Sequence, residues 1–329
     1  MSASTFHVER PTEGYRAEQG SKSRLSLAAL RYPTLTASVP KELVHRAAVA
    51  EVMLTDWERH DDTHFRVAAQ WPRGHNFFTP VDGQYDPLMA TETIRQVGYL
   101  LAHAEFGVPF GHRFLMWNME VSVDPEHLQV RQTPASLDIE VTCTHIRRRG
   151  SGELAGLRYE AAVLRDGQLA ATGSVAFTCT NPAAYERVRG EHLHGYQRPL
   201  PLTAPAAPQS VGRTSPVDVV LSPVGEANRW RLRVDTRHPV LFDHPVDHVP
   251  GMMLVEASRQ AAAAVLGRSS LLPLNVACGF ERYVELSAPC TIEADTVPEL
   301  LPDGRRRVLV SGHQDGELCF TSTVTAAAA

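Results

Sequence analysis

The sequence predicts an α+β protein in which one unit, a long helix followed by antiparallel strands, is built twice. Three observations carry this. The phrase Glu-x-x-Arg-Gln occurs at Glu92–Gln96 and again at Glu256–Gln260, each residue recurring 164 positions later. Each copy sits in an apolar, helix-like run. Each run is followed by segments rich in strand-forming residues and punctuated by turn residues, as in a meander.

In chain order, residues 1–40 are polar and irregular and are expected as an N-terminal arm. Residues 41–189 form the first unit, with a helix near 87–105 whose apolar stripe is Met89, Ile94, Val97 and Leu101. The stretches 138–146 and 157–164 flank the turn segment "RRRGSGELAG", and a further strand over 167–180 begins at the turn signal Asp166-Gly167. Residues 190–215, rich in Pro and Ala, read as a linker. Residues 216–329 repeat the order. A strand pair (218–224 and 229–236) leads to a helix near 250–266, with Met252, Val255, Ala262 and Val265 on its apolar side. Strand segments within 280–300, 305–314 and 317–326 follow.

Composition narrows the function classes. The chain has 329 residues, 43% of them hydrophobic, enough for a sizeable core. Its net charge of −5 argues against a broad nucleic-acid surface. Lys22 and Lys41 are the only lysines, so positive charge is almost all Arg, the better bidentate partner for carboxylate or phosphate. The five cysteines include no Cys-x-x-Cys pair, which fits a reduced, cytoplasmic setting. The first residues carry no apolar leader, and no window approaches the roughly 18 apolar residues of a membrane span, so no membrane partner is expected.

Glu, Arg and Gln at i, i+3 and i+4 share one side of a helix. Such a group is either a structural ion pair or a working site. In apolar surroundings a Glu has a raised pKa and serves as acid or base, while Arg holds a phosphate or orients the Glu. Only the second copy has a His-rich approach, "HPVLFDHPVDHVPG", ending at Pro250-Gly251. Glycine there lets the helix start approach a ligand. His238, His244, His248, Asp243 and Asp247 have permissive metal-ligand spacing. Pro239, Pro245 and Pro250 break any helical register, however, and no thiolate completes a zinc set, so neither metal nor cofactor is expected. "GSGELA" at 150–155 precedes a strand and reads as a hairpin turn rather than a dinucleotide loop.

The second half is similar to the 3-hydroxyacyl-carrier-protein dehydratases of the hotdog fold, whose loop reads His-Pro-x-x-Pro-Gly before Glu-Ala on the helix; here His244-Pro245 and Pro250-Gly251 precede Glu256-Ala257. The longer pattern, "DHPVDHVPGMMLVEASRQAA" with its partner "DPLMATETIRQVGYLLAH", resembles the A-factor biosynthesis (AfsA-type) family. The resemblance implies a double hotdog, two tandem units forming a pseudo-dimer. It implies an acyltransferase that moves a β-ketoacyl group from acyl-carrier protein to the hydroxyl of dihydroxyacetone phosphate, in the making of a γ-butyrolactone-type signal. A dehydratase or thioesterase on the same fold, or a non-catalytic acyl-ligand binder, are the alternatives. By analogy with the dehydratases, the loop of one unit faces the helix of the other. His244 and Gly251 are then expected opposite Glu92, Arg95 and Gln96, with Thr79 standing about where His244 does. Glu256, Arg259 and Gln260 are expected opposite the His75/Asp86 loop. Because the second helix keeps the stronger motif, Glu256 stays a candidate acid and Arg259 a candidate phosphate ligand. A monomer with an internal pseudo-dimer, or a homodimer, is the expected assembly.

Overall fold

Two long helices stand where the sequence places them. Helix α1 spans Pro87–Ala104. Asp86 caps it, its side chain accepting from the Leu88 amide at 2.9 Å, and Pro87 fills a position that needs no donor. Nearly every α1 side chain is buried, because the sheet wraps the helix. Gly98 shows how closely: a Cβ there would lie 2.8 Å from the Tyr159 ring, whose hydroxyl donates to the Ile94 carbonyl at 2.6 Å. The second-half counterpart of α1 is a helix over Gly251–Val265, called α3 below. Pro250 stands at its N-cap and supplies no side-chain acceptor. Between them α2, Pro182–Arg189, is capped by Asn181.

The structure, a computed structural model, describes residues 36–197 and 200–327. The arm expected over 1–40 lies almost wholly outside them. Twelve strands are present among the described residues: β1 Leu54–Arg59, β2 His64–Trp71, β3 Arg113–Val123, β4 Ala135–Arg148, β5 Leu154–Arg165, β6 Gln168–Thr180, β7 Leu221–Pro223, β8 Arg229–Leu232, β9 Pro273–Phe280, β10 Cys290–Thr296, β11 Arg306–Gln314 and β12 Glu317–Ala326. Alternation makes them strands of a one-sided sheet; the first part of β4, Ala135–Cys143, points every second residue into the core.

The strands form one sheet in the order β1-β2-β4-β5-β6-β3-β9-β12-β11-β10-β8-β7, all pairs antiparallel. Read from either edge the connectivity is the same, so the duplication seen in sequence is a pseudo-twofold in space. The seam is β3 against β9, with Glu120 opposite Ala277. Asn275 ties it by donating to Glu120 at 3.0 Å and Ser122 at 2.8 Å. This is a double hotdog, α1 lying on β1–β6 and α3 on β7–β12. Ser38–Ala329 is one compact unit. The segment read as a linker is part of it: Val211 and Arg213 are buried against α3.

Candidate active site

The two Glu-x-x-Arg-Gln groups build matching clusters. In the first, Glu92 accepts from Arg95 (2.8 and 2.7 Å), from Arg46 (3.0 Å) and from Gln96 (2.7 Å). In the second, Glu256 accepts from Arg259 (3.0 and 2.6 Å), from Arg213 (2.8 Å) and from Gln260. Each Gln also bridges to backbone, Gln96 to Met53 and Glu51, Gln260 to Val220 and Asp218. Each second arginine crosses to the other half: Arg46 donates to the Val240 carbonyl and Arg213 to the Phe77 carbonyl. His75 and His238 play equal parts, each Nδ1 accepting two loop amides.

Both glutamates are fully buried, yet neither has the raised pKa expected of a Glu in apolar surroundings. Burial alone would raise them. The Arg46 and Arg95 guanidiniums overcome it for Glu92, and Arg213 and Arg259 do so for Glu256, holding each carboxyl at about 2. At neutral pH both are ionised hydrogen-bond acceptors with no proton to give. The second arginine of each cluster, which the sequence motif does not show, is what keeps each carboxyl ionised.

The clusters differ in what lies in front of them. A cavity of about 200 Å³ opens on the first. From the first half it is walled by His45, Arg46, Arg95, Tyr99, Arg113–Met116 and Tyr185. From the second half come the 240–250 loop, the first turn of α3, Phe280 and Tyr283. The structure thus brings Arg95, His244 and Gly251 to one cavity, with Glu92 and Gln96 directly behind. It does not bring Glu256, Arg259 or Gln260 there. Arg259 is 2% exposed and Arg213 4%, so the expectation of Arg259 as a phosphate ligand is corrected. Where the second cluster would open, Asp86 is buried beside both of its arginines. Gly212 there packs toward Ala263, its αL backbone matching that of His45.

Residue 86 caps α1 where Pro250 stands before α3, 164 positions on. Asp86 occupies the Leu88 amide; Pro250 has no side-chain acceptor, so the first turn of α3, whose Gly251 and Met252 line the cavity, has no side-chain cap. Nothing in the protein requires glycine at 251: its φ is not positive, and a Cβ would sit 3.7 Å from Phe280, an ordinary contact.

His244 lines the cavity half-exposed. Its Nδ1 lies 3.8 Å from Asp243, too far for a hydrogen bond, because the Asp243 oxygens accept the Ala47 and Ala48 amides. Burial lowers its pKa, with Arg46 and Arg95 adding to the fall and the Asp243 carboxylate opposing it. His75 and His238 lie 163 positions apart in equivalent roles, so the residue in register with His244 is Val81, not Thr79.

Sequence reasoning does not single out Arg46, His45, Tyr99, Arg113 or Tyr185. His45 stacks on Tyr99 (4.6 Å, 7°) and its Nε2 lies 2.7 Å from His103 Nε2. Burial drives the His45 pKa down to about 3. Arg113 lies over the Tyr185 ring and has no carboxylate partner among the described residues. For Arg46 a signal exists: "VHR" at 44–46 and "VGR" at 211–213 are 167 apart, a repeat hidden by unequal loops.

A family profile described as the A-factor biosynthesis hotdog domain matches residues 28–181 and 196–329. The chain is 53% identical over 290 residues to a 2-oxo-3-(phosphooxy)propyl 3-oxoalkanoate synthase of Streptomyces virginiae, covering 88% of this chain and 98% of that protein. It is 42% identical to a synthase of the same name from Streptomyces coelicolor, covering 87% and 91%. Among solved structures it is similar to one described as an oleoyl thioesterase from Lactobacillus plantarum, with a TM-score of 0.52, 13% identity, and coverage of 80% and 96%; at that identity the likeness shows the fold alone. The duplicated helix motif, the double hotdog and the profile spanning both halves agree: the chain belongs to the A-factor biosynthesis hotdog family.

Proposed function

We propose that this chain transfers a β-ketoacyl group from an acyl-carrier-protein thioester to the hydroxyl of dihydroxyacetone phosphate, the first committed ester of a γ-butyrolactone-type signal. The observation that carries this is the cavity's division into a cationic and an apolar wall. Arg46 and Arg95 share the carboxylate of Glu92 and line the cavity, whereas Arg213 and Arg259 share that of Glu256 and are buried away from it. Two guanidiniums at the cavity wall suit an incoming phosphate. Met116, Met119, Met252, Val255 and Phe280 supply the apolar wall for the acyl chain. The relatives' name describes the same product, a 3-oxoalkanoyl ester of a phosphooxypropanone.

In this reading Glu92 and Gln96 hold Arg95 and Arg46 in place, and Arg95 with Arg46 binds the phosphate. The Gly251 amide, with Met252 beside it, holds the thioester oxygen as it becomes an oxyanion. His244 adds a neutral imidazole to the phosphate end. Glu256, Arg259 and Gln260 hold the second half together. Both walls come from one chain, so a second copy is not needed to complete the site. The five free, buried cysteines accord with a cytoplasmic enzyme.

The test is turnover of a β-ketoacyl thioester of acyl-carrier protein with and without dihydroxyacetone phosphate, read by mass spectrometry. The expected result is a phosphorylated ester, or the lactone ring closed from it, formed only with the acceptor. Release of free acid at equal rates in both arms refutes the proposal in favour of a thioesterase.

A further inference from the structure

Three histidines line the cavity, and they differ in what holds them. His45 donates Nε2–H to His103 if both rings are neutral, since His103 Nδ1 must donate to the Val108 carbonyl at 2.7 Å. Among the described residues no carboxylate touches either ring. His244 has no hydrogen-bonded carboxylate, as above. His248 alone does: its Nδ1 is 2.9 Å from Asp247 Oδ1.

That carboxylate is itself fixed. Both of its oxygens lie 2.8 Å from the Tyr185 hydroxyl, and Oδ2 accepts from Arg189 Nε at 2.9 Å. Arg189 is anchored in turn by both oxygens of Glu285 (2.6 and 2.7 Å) and lies over the Tyr283 ring at 4.3 Å. Burial opposes ionisation of Asp247, but the bonds from His248, Arg189 and Tyr185 hold its pKa below the ordinary carboxylate range. An ionised Asp247 makes Nδ1 the donor and leaves the lone pair on Nε2. The imidazole is held by the Asp247 bond and an edge-to-face contact with Tyr283 at 4.8 Å, and the backbone of residue 248 is fixed by a bridge to Glu285. It remains 29% exposed, with its side chain among the cavity walls, three residues before the uncapped Gly251 amide.

We infer that His248 is the general base of the acyl transfer, that Asp247 fixes its tautomer, and that Tyr185 and Arg189, carried across by α2 from the first half, hold Asp247 in place. This rests on the transfer reading given above. The acceptor hydroxyl gives its proton to His248 Nε2 as its oxygen bonds to the thioester carbonyl carbon. The resulting oxyanion lies at the Gly251 amide. When it collapses, the C–S bond breaks and the departing thiolate takes the proton back from the imidazolium. Ester and free thiol are the products, and His248 ends as it began. The same logic of a buried carboxylate holding an imidazole serves Ser-His-Asp enzymes, here with the substrate hydroxyl in place of the serine. Asp247 and the Arg189 cluster are positioning groups, because they act through the ring.

The competing account makes Arg189, Asp247 and Glu285 only a latch that clamps α2 to the second half. The two accounts separate by experiment. His248→Gln keeps volume and removes the base; kcat is expected to fall by roughly 10²–10⁴-fold, with an unchanged melting temperature and little change in KM for either substrate. His248→Ala should recover part of the lost rate on adding free imidazole. Asp247→Asn should lower kcat and shift the pH profile of kcat, a readout that a latch alone does not move. The groups facing His248 in that profile are Asp247, Tyr185, Tyr283, Glu285 and Arg189, with Arg113 beyond Tyr185. His45→Gln and His244→Gln, run beside them, should each lose less. If the wild type makes the ester and His248→Gln makes it at a comparable rate, this inference is overturned while the function stands. It is equally overturned if His45→Gln or His244→Gln carries the large loss. If the wild type makes no ester at all, the function reading is what fails.

Discussion

Glu92→Gln and Glu256→Gln are the same change at pseudo-equivalent positions, and the structure predicts different consequences. Each removes one charge from a side chain that is 0% exposed and holds two arginines. Breaking a buried ion pair from one side costs about 3–5 kcal/mol, because the partner charge stays behind. In the second cluster Arg213 and Arg259 are 4% and 2% exposed and do not line the cavity, so their charges are left in the interior. The upper end of that range applies. At roughly 2–4 °C per kcal/mol for a body this large, the melting temperature of Glu256→Gln should fall by about 10 °C or more. In the first cluster Arg95 and Arg46 border the cavity and are partly hydrated, so Glu92→Gln should lose about half as much. Its larger effect is functional: two loosened arginines should raise the KM for dihydroxyacetone phosphate more than they lower kcat. Thermal melts and steady-state kinetics with each substrate varied measure both. A Glu256→Gln variant that melts like the wild type but is dead would refute the assignment of the two clusters. So would a Glu92→Gln variant that loses kcat alone.

Three further outcomes follow from the same geometry. Arg95→Ala should weaken use of the acceptor with a modest change in melting, whereas Arg259→Ala should depress the melting temperature with little change in KM for the soluble fraction; the reverse pattern exchanges the roles of the two halves. Gly251→Ala should fold as well as the wild type, since there is room for the methyl, yet lower kcat by crowding the oxyanion; unchanged kcat removes Gly251 from the site. Stability should decline in acid. Glu92 and Glu256 ionise at about 2 when folded against 4.5 unfolded, so their contribution, on the order of 3 kcal/mol each, is complete above pH 4.5 and lost as pH falls toward 2. Chemical denaturation across that range should show a shallower fall for Glu92→Gln.

Helix positions and the duplication are legible in the sequence because both reside in contiguous patterns, apolar periodicity and a fixed spacing of 164. The seam is not. β3 and β9 lie 150 residues apart and meet along one edge, and nothing local distinguishes an edge that joins from one that ends a sheet. The cross-half pairing of the His-rich loop with the first helix follows from the family resemblance, and the cavity accords with it. The charge state of the glutamates does not follow. It depends on Arg46 and Arg213, which come from turns more than 40 residues upstream, and a Glu without its second counterion reads as an acid. His248 and Asp247 stand in the sequence as apparent metal ligands. What makes them a base and its holder is Tyr185 and Arg189, supplied by a helix that the sequence merges into its strands.

Asp86 and Pro250 occupy the same place in the two units. In a symmetric homodimer one codon would set both, and any carboxylate that steadied one interface would also block the other. Joining the halves in one chain lifts that constraint. One position carries a carboxylate beside the buried arginines of Glu256, and its twin leaves a cavity with an uncapped helix start and a cationic wall. Durability and substrate preference are thereby governed by separate residues. Relatives should be able to drift at 86, 213 and 259 toward hotter or colder melting, and at 46, 95, 113 and 116 toward other acceptors and chains, without one change forcing the other.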